Sequence, residues 1–165
     1  MDIISIFNQI RDIPYNIPVS LKEEDFCCSG KNKILKKALE KEGYKVRYRI
    51  CSFLWASSID LPQKVLDVPH EVNNTHAYLE VLFKNKWVIV DPTWDIGLKN
   101  IFPINEWNLN KNNKIAVKPI KNFSLKKSAD IMNSEDEQGI LDDLKINGKF
   151  YKAINNWLSE IRKEN

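Results

Sequence analysis

Two strand-like segments joined by two residues constrain the fold of this chain more than any other feature. Residues 75–83 read Thr-His-Ala-Tyr-Leu-Glu-Val-Leu-Phe, residues 86–91 read Lys-Trp-Val-Ile-Val-Asp, and Lys84 and Asn85 separate them. β-Branched and aromatic residues favour strands, and a two-residue connection is typical of a tight β-hairpin. The sequence therefore predicts an antiparallel hairpin that turns at Lys84 and Asn85.

The register of this hairpin decides which polar side chains can meet. With the two-residue turn, Tyr78 lies opposite Asp91 and His76 lies opposite Thr93. All four side chains then project from one face, and His76 and Asp91 are diagonal neighbours about 7 Å apart at Cβ. A turn shifted by one residue would place Asp91 opposite Glu80, out of reach of His76. The unshifted register predicts an imidazole beside a carboxylate.

Apolar periodicity predicts the other elements. Helical spacing predicts a short helix capped by Asp2 and ended before Pro14, a helix over 29–42 that Gly43 ends, and a helix over 150–161, while alternation predicts a strand over 45–53. Residues 96–128 are expected to form a loop excursion with one strand near 115–120, and the acidic run 130–143 a surface turn or short helix. Helices with an antiparallel sheet place the chain in the α+β class.

Composition limits the classes of protein to which the chain can belong. Its 165 residues, of which 43% are hydrophobic, fit one domain over residues 1–165. A net charge of +3 is too small to imply a nucleic-acid partner, and every apolar run falls short of a membrane span. The first residues have neither a basic segment nor a long apolar one, so we expect no secretion signal, and the three cysteines have neither disulfide nor zinc spacing. We expect a cytoplasmic protein without a nucleic-acid or membrane partner; its oligomeric state stays open.

A cysteine at the start of a predicted helix is the first candidate for chemistry. Cys28 directly precedes the helix over 29–42. The free N–H groups and the dipole of a helix start favour the thiolate that a nucleophile needs, whereas an ordinary cysteine is a small buried apolar residue. Cys27 lies one residue earlier, where the helix field is weaker, and Cys51 alternates with apolar residues of the strand over 45–53. We expect Cys28 to be the nucleophile, Cys27 a neighbour and Cys51 a packing residue.

Two histidines, His70 and His76, are available as a base for such a cysteine. The predicted hairpin gives His76 a carboxylate partner, Asp91. Taken singly, His76 is an ordinary strand histidine and Asp91 a turn residue before Pro92. Their joint placement on one face, downstream of a helix-start cysteine, favours a catalytic triad. His70 follows a proline in a polar loop and is expected at the surface.

Three separated blocks carry a further pattern. They are Cys28-Ser29-Gly30 at the start of a helix that ends at Gly43, then Thr75-His76-Ala77-Tyr78, and then Trp87-Val88-Ile89-Val90-Asp91-Pro92-Thr93. In order and spacing they resemble the transglutaminase-like superfamily of papain-fold thiol enzymes, and Ile13-Pro14-Tyr15 is similar to a segment that often precedes the cysteine in bacterial and archaeal members. The resemblance spans at least residues 10–95. It implies a papain-like α+β core with the nucleophile helix packed on an antiparallel sheet, flanked by N- and C-terminal helices.

The resemblance also implies a role for each residue of the triad. Cys28 would be the nucleophile, His76 the general base and then acid, and Asp91 the group that holds the imidazole. The implied reaction is acyl transfer from a protein or peptide carboxamide, through a Cys thioester, to water or an amine. The chain departs from the family at Phe26, where a Gly is common, and its first Trp, Trp55, comes too late to serve as the oxyanion donor of animal transglutaminases.

Other residues are assigned to the cleft as hypotheses. The backbone N–H of Cys28 and the hydroxyl of Tyr15 are the predicted oxyanion donors. Trp87 and Trp94, which lie on either side of Asp91 in the sequence, and Tyr78 are candidates for the walls of the substrate cleft, although core packing explains them equally well. Neither a cofactor nor a metal is implied.

Several functions stay open at this point. An amide hydrolase or protease is favoured, because nothing in the sequence builds a second site for an amine. Arylamine N-acetyltransferases share the triad, but the chain lacks their Arg-Gly-Gly-x-Cys approach. A noncatalytic peptide-binding module is the alternative, and retention of all three triad residues argues against it. Eight basic against two acidic residues between Gly30 and Ile50 could attract an acidic substrate or simply cover a solvated helix face.

Overall fold

A computed structural model describes residues 2–164, which form helices around one four-stranded antiparallel sheet of order β3-β2-β1-β4. In chain order the elements are α1 (Ile3–Arg11), α2 (Cys28–Lys41), β1 (Val46–Leu54), α3 (Trp55–Ser58), α4 (Gln63–Leu66), β2 (Asn73–Phe83), β3 (Lys86–Val90), a 3-10 turn (Ile96–Leu98), β4 (Lys121–Asn122), α5 (Leu125–Asn133) and α6 (Glu137–Lys163). The predicted α+β class is confirmed. Within the described range, no helix combines the length and apolar character needed to cross a membrane.

The predicted hairpin is confirmed in its unshifted register. Phe83 pairs with Lys86, and the ladder continues to the pair of Leu79 with Val90. Lys84 and Asn85 have φ angles of +46° and +64°. Two successive left-handed residues make the kind of turn whose twist matches that of the flanking strands. Pairing stops one residue before Asp91, so this carboxylate stands at the open end of the hairpin.

Apolar clusters lie on both faces of the sheet. Leu35 of α2 packs with Leu79 of β2 in one cluster, and Tyr78 of β2 packs with Phe150 of α6 in the other. Adjacent strand residues such as Tyr78 and Leu79 point to opposite faces, so each strand feeds both clusters. Helix α2 therefore lies across one face and α6 across the other, and the start of α2 meets the end of the hairpin.

The chain between the 3-10 turn and α6 differs from the sequence-based expectation. The strand predicted near 115–120 is wrong: β4 is limited to Lys121–Asn122, and α5 follows. The reason is that backbone groups of the preceding loop bond to side chains instead, as when the N–H of Lys118 donates to Ser58 Oγ at 2.6 Å. The acidic run 130–143 is divided between the end of α5 and the start of α6. There Asp136 caps α6 by accepting from the N–H of Gly139 at 2.8 Å.

Candidate active site

Cys28 is the first residue of α2 and is held there by a carboxylate just upstream. Asp25 accepts from the N–H of Cys27 at 2.8 Å through one oxygen and from the Ser29 hydroxyl at 2.8 Å through the other. Cys28 is half-buried against Ala77 and faces a cavity of about 790 Å³ that is also lined by His76. The structure thus places the predicted nucleophile at a helix start and beside the predicted base.

His76 and Asp91 form a buried pair at the end of the hairpin. Nε2 of His76 lies 2.8 Å from Oδ2 of Asp91, and the two residues are 3% and 0% exposed. Since Nε2 is engaged by the carboxylate, Nδ1 is the ring nitrogen left for a second partner. Cys28 lines the same cavity as His76 and, together with Asp91, raises the pKa of the imidazole. The structure therefore brings together the three residues of the predicted triad.

A loop far along the chain supports Asp91 from several directions. The backbone N–H of Ala116 donates to Oδ2 at 2.8 Å, while Thr93 donates to Oδ1 through its hydroxyl and, at 3.1 Å, through its N–H. Asn113 accepts from the Asp91 N–H at 3.1 Å, and Asn105 donates to the Asp91 carbonyl at 2.9 Å. The roles of Ala116, Asn113 and Asn105 could not be predicted from the sequence, in which the concentration of Asn in this loop was the one available signal.

The charges of the triad reinforce one another. A hydrogen bond from Cys27 lowers the pKa of the Cys28 thiol, burial opposes this, and the positive charge of His76 lowers the pKa further, so that it lies below its usual value. Burial alone would lower the pKa of His76, but Asp91 and Cys28 raise it. Burial likewise opposes the ionisation of Asp91, yet His76, Thr93 and a backbone N–H keep its pKa below the ordinary value. The arrangement favours a thiolate beside an imidazolium.

A buried lysine connects α2 to Thr93, two residues beyond Asp91. Nζ of Lys31 donates to the carbonyl of Arg11 at 2.8 Å and to that of Thr93 at 3.0 Å, and its side chain is fully buried. Burial lowers the pKa of Lys31 to about 8, although the nearby Asp95 opposes the shift. Through these contacts one side chain ties α2 to the end of α1 and to the residue that bonds Asp91. The sequence did not indicate this role, because Lys31 is one of several lysines in α2 that were expected to face solvent.

The cleft residues predicted from the sequence have different surroundings. Tyr15 and Trp94 both line the cavity, and their rings lie 4.9 Å apart. Tyr78 lies outside the lining, because its ring belongs to the core and its hydroxyl donates to Asn122 at 3.3 Å. Trp87 also lies outside it. It stands four positions before Asp91, roughly 13 Å along the strand, and the guanidinium of Arg47 covers its ring at 3.9 Å. Of the three residues predicted to wall the cleft, only Trp94 lines the cavity.

Cys51 and His70 lie outside the predicted triad. Cys51 is fully buried in β1, and burial raises the pKa of its thiol to about 12. His70 stacks on Phe150 with ring centroids 3.8 Å apart, so it is half-buried rather than a free surface residue. Across residues 2–164, no three His, Cys, Asp or Glu side chains are grouped in a way that could hold a metal ion.

Comparison with known proteins adds no assignment. No protein-family model, curated protein sequence or solved structure matches the chain. The chemistry of the site therefore has to be argued from its own geometry.

Proposed function

We propose that this chain is a thiol-dependent amide hydrolase or acyl transferase that acts on protein or peptide carboxamides. The observation that carries the proposal is the buried pair of His76 and Asp91, 2.8 Å apart, beside a helix-start cysteine whose pKa is lowered. Buried carboxylate–imidazole–thiol arrangements in a cavity are typical of nucleophilic catalysis. The resemblance to the transglutaminase-like superfamily supports the same assignment and a papain-like core. The three free thiols support a cytoplasmic location, where thiols stay reduced.

The proposed reaction proceeds through two acyl transfers. The thiolate of Cys28 attacks the carboxamide carbon, the C–N bond breaks, and the imidazolium of His76 gives its proton to the leaving amine. The resulting thioester is attacked by water, or by an amine, whose proton passes to His76 as the thiolate leaves. Asp91 stays ionised and stabilises the imidazolium between these steps. Water is the default acceptor, which favours hydrolysis.

The pH dependence of alkylation by iodoacetamide tests this proposal. In a Cys27→Ser, Cys51→Ala background, which replaces the hydrogen-bonding thiol of Cys27 by a hydroxyl and keeps His76, the alkylation rate of Cys28 should rise with a midpoint well below the pH of ordinary thiols. Removing the imidazolium in His76→Ala should move the midpoint towards about 8.5. The rate at pH 6 should fall only about tenfold, because a more basic thiolate is also a better nucleophile.

A matched control exists for this experiment. His70→Ala removes the other histidine, which stacks on Phe150 outside the triad, and should leave the profile of Cys28 unchanged. A midpoint of about 8.5 in the presence of His76, unchanged in His76→Ala, would contradict the proposed catalytic function. The chain would then be better described as a noncatalytic peptide-binding module. Mass spectrometry of the alkylated peptide assigns the label to Cys28.

Tyr15 is the proposed side-chain donor to the oxyanion. Its ring is 8% exposed, and burial followed by the nearby Cys27 and Cys28 raises the pKa of its hydroxyl well above the usual value, so it stays protonated. Tyr15→Phe should lower the turnover of a peptide carboxamide at least about tenfold while leaving the alkylation profile of Cys28 unchanged. The comparison of kcat with alkylation separates the two roles. A turnover within a few fold of wild type would remove Tyr15 from the mechanism.

A further inference from the structure

The cavity in front of Cys28 is lined by an unbalanced set of charges. Five carboxylates face it, namely Glu23 and Asp25 from the segment before α2 and Glu135, Asp136 and Asp143 from the start of α6 and the turn before it. Among the described residues that line it, Lys33 is the one Lys or Arg. The basic residues of α2 that the sequence presented as a possible attraction for acidic substrates thus contribute one side chain to this cavity.

Most of these carboxylates bond to neutral groups. Lys33 forms an ion pair with Glu135 at 2.7 Å. The other four accept from backbone N–H, hydroxyl or amide groups: Glu23 from the N–H of Val19, Asp25 from Cys27 and Ser29, Asp136 from Gly139, and Asp143 from Asn147 and Tyr151. Such bonds leave the negative charge in place. With a thiolate, an imidazolium and Asp91 at the base of the cavity, the field in front of Cys28 is negative.

A second observation points to a ligand in the same space. Tyr15 is 8% exposed and lines the cavity, and no other residue between 2 and 164 forms a hydrogen bond with its hydroxyl. A hydroxyl in a cavity wall that has no protein partner can donate to a bound molecule. Apolar side chains complete the lining, among them Ile17, Ile131 and Leu144. The cavity therefore offers contact for an alkyl chain together with carboxylates for a positive charge.

We propose that the substrate of this site is a basic peptide, in which a Lys or Arg side chain close to the reactive carboxamide occupies the acidic cavity. This assignment rests on the proposed function, because it names the substrate class of the same nucleophile. The alkyl part of the side chain packs against the apolar lining, and the ammonium or guanidinium lies among Glu23, Asp136 and Asp143. Long-range attraction by these carboxylates also speeds the encounter with a cation.

Charged thiol reagents test the field without requiring the natural substrate. Trimethylammonioethyl and sulfonatoethyl methanethiosulfonates form a disulfide with Cys28 as methanesulfinate leaves. In the Cys27→Ser, Cys51→Ala background, and relative to 2-mercaptoethanol, the cation should react about tenfold or more faster than the anion at low ionic strength. The triple variant Glu23→Gln, Asp136→Asn, Asp143→Asn keeps the hydrogen-bond acceptors and should reduce this ratio at least about threefold.

The control variant carries the same kind of change elsewhere. Glu160 lies roughly 25 Å beyond Asp143 along α6 and outside the cavity lining. Glu160→Gln should therefore leave the ratio unchanged. A wild-type ratio near one, or a ratio that the triple variant does not alter, would overturn the assignment. Alkylation by neutral iodoacetamide tests the proposed function separately. If His76→Ala does not change the alkylation of Cys28 while the charge ratio is retained, the proposed catalytic function is overturned, but the negative field in front of Cys28 is not.

Small ligands distinguish a substrate side chain from a free amine. Acetyl-lysine amide and acetyl-arginine amide should slow the alkylation of Cys28 by iodoacetamide at concentrations where acetyl-norleucine amide, which lacks the charge, does not. Protection by n-butylamine equal to that by acetyl-lysine amide would overturn the placement of the cation on the acyl donor. Equal protection by the norleucine compound would overturn the role of the charge.

Discussion

Replacing Gly30 by alanine should destabilise the protein by at least about 3 kcal/mol. A Cβ atom on Gly30 would lie 1.8 Å from the carbonyl oxygen of Asp25 and 2.5 Å from its carbonyl carbon. Neither atom belongs to a side chain that can rotate away, so the backbone before α2 has to move. The same Asp25 binds Cys27 and Ser29, which means that the shift also disturbs the setting of Cys28.

Urea unfolding and the alkylation rate at pH 6 measure the two consequences. Gly148→Ala is the matched control, because Gly148 lies inside α6 and its nearest neighbour, Leu144 Cβ, would be 3.8 Å from the added atom. That substitution should stabilise the protein by about 0.5–1 kcal/mol, since alanine loses less backbone entropy in a helix. A Gly30→Ala protein within about 1 kcal/mol of wild type, with unchanged Cys28 alkylation, would show that the segment at Asp25 yields easily.

Replacing Asp95 by alanine should cost about 3–5 kcal/mol in the free energy of unfolding. Asp95 is 2% exposed and binds Arg162 through two hydrogen bonds of 2.7 and 3.1 Å. It also accepts from the N–H of Tyr15 at 2.9 Å, and Arg162 donates to the carbonyl of Tyr15 at 3.0 Å. The substitution would leave a partly buried guanidinium without a counter-charge and the Tyr15 N–H without an acceptor. Tyr15, the proposed oxyanion donor, would lose the hydrogen bond from its backbone N–H to Asp95.

Thermal or urea unfolding of Asp95→Ala, Arg162→Ala and the double variant measures this coupling. The double variant should be less destabilised than the sum of the single variants, because neither charge is then left alone. The exposed pair of Lys64 and Glu160, 3.7 Å apart, supplies the control, and Glu160→Ala should cost less than about 1 kcal/mol. Equal effects at Asp95 and Glu160 would contradict the structural role given to Asp95.

The pH dependence of this stabilisation follows from the direction of the shift. Burial opposes the ionisation of Asp95, but hydrogen bonds from Arg162 and Tyr15 lower its pKa below the ordinary value. The contribution is therefore complete above the unfolded-state pKa of about 3.9 and is lost as the pH falls through the lower folded-state pKa. The stability difference between wild type and Asp95→Ala should narrow only in that acidic range.

The features that depend on neighbouring residues could be predicted from the sequence alone. Alternation and a two-residue connection predicted the hairpin in its observed register, and with it the approach of His76 to Asp91. Helical spacing and the stop at Gly43, where φ is +87°, predicted α2 with Cys28 at its start. These features follow from local sterics and from the period of each element, which a linear sequence records directly.

The surroundings of these residues, in contrast, depend on contacts between distant parts of the chain. Three such contacts join distant segments and leave no periodic pattern in the sequence. They are the hydrogen bond from the Ala116 N–H to Asp91, the contact of Lys31 with Thr93, and the pairing of Asp95 with Arg162. The charge of the cavity is the clearest case: the sequence showed lysines along α2, whereas the fold turns carboxylates from the segment before α2 and from the start of α6 towards Cys28. Electrostatic fields depend on distances in space, and the packing of α6 against the sheet sets those distances.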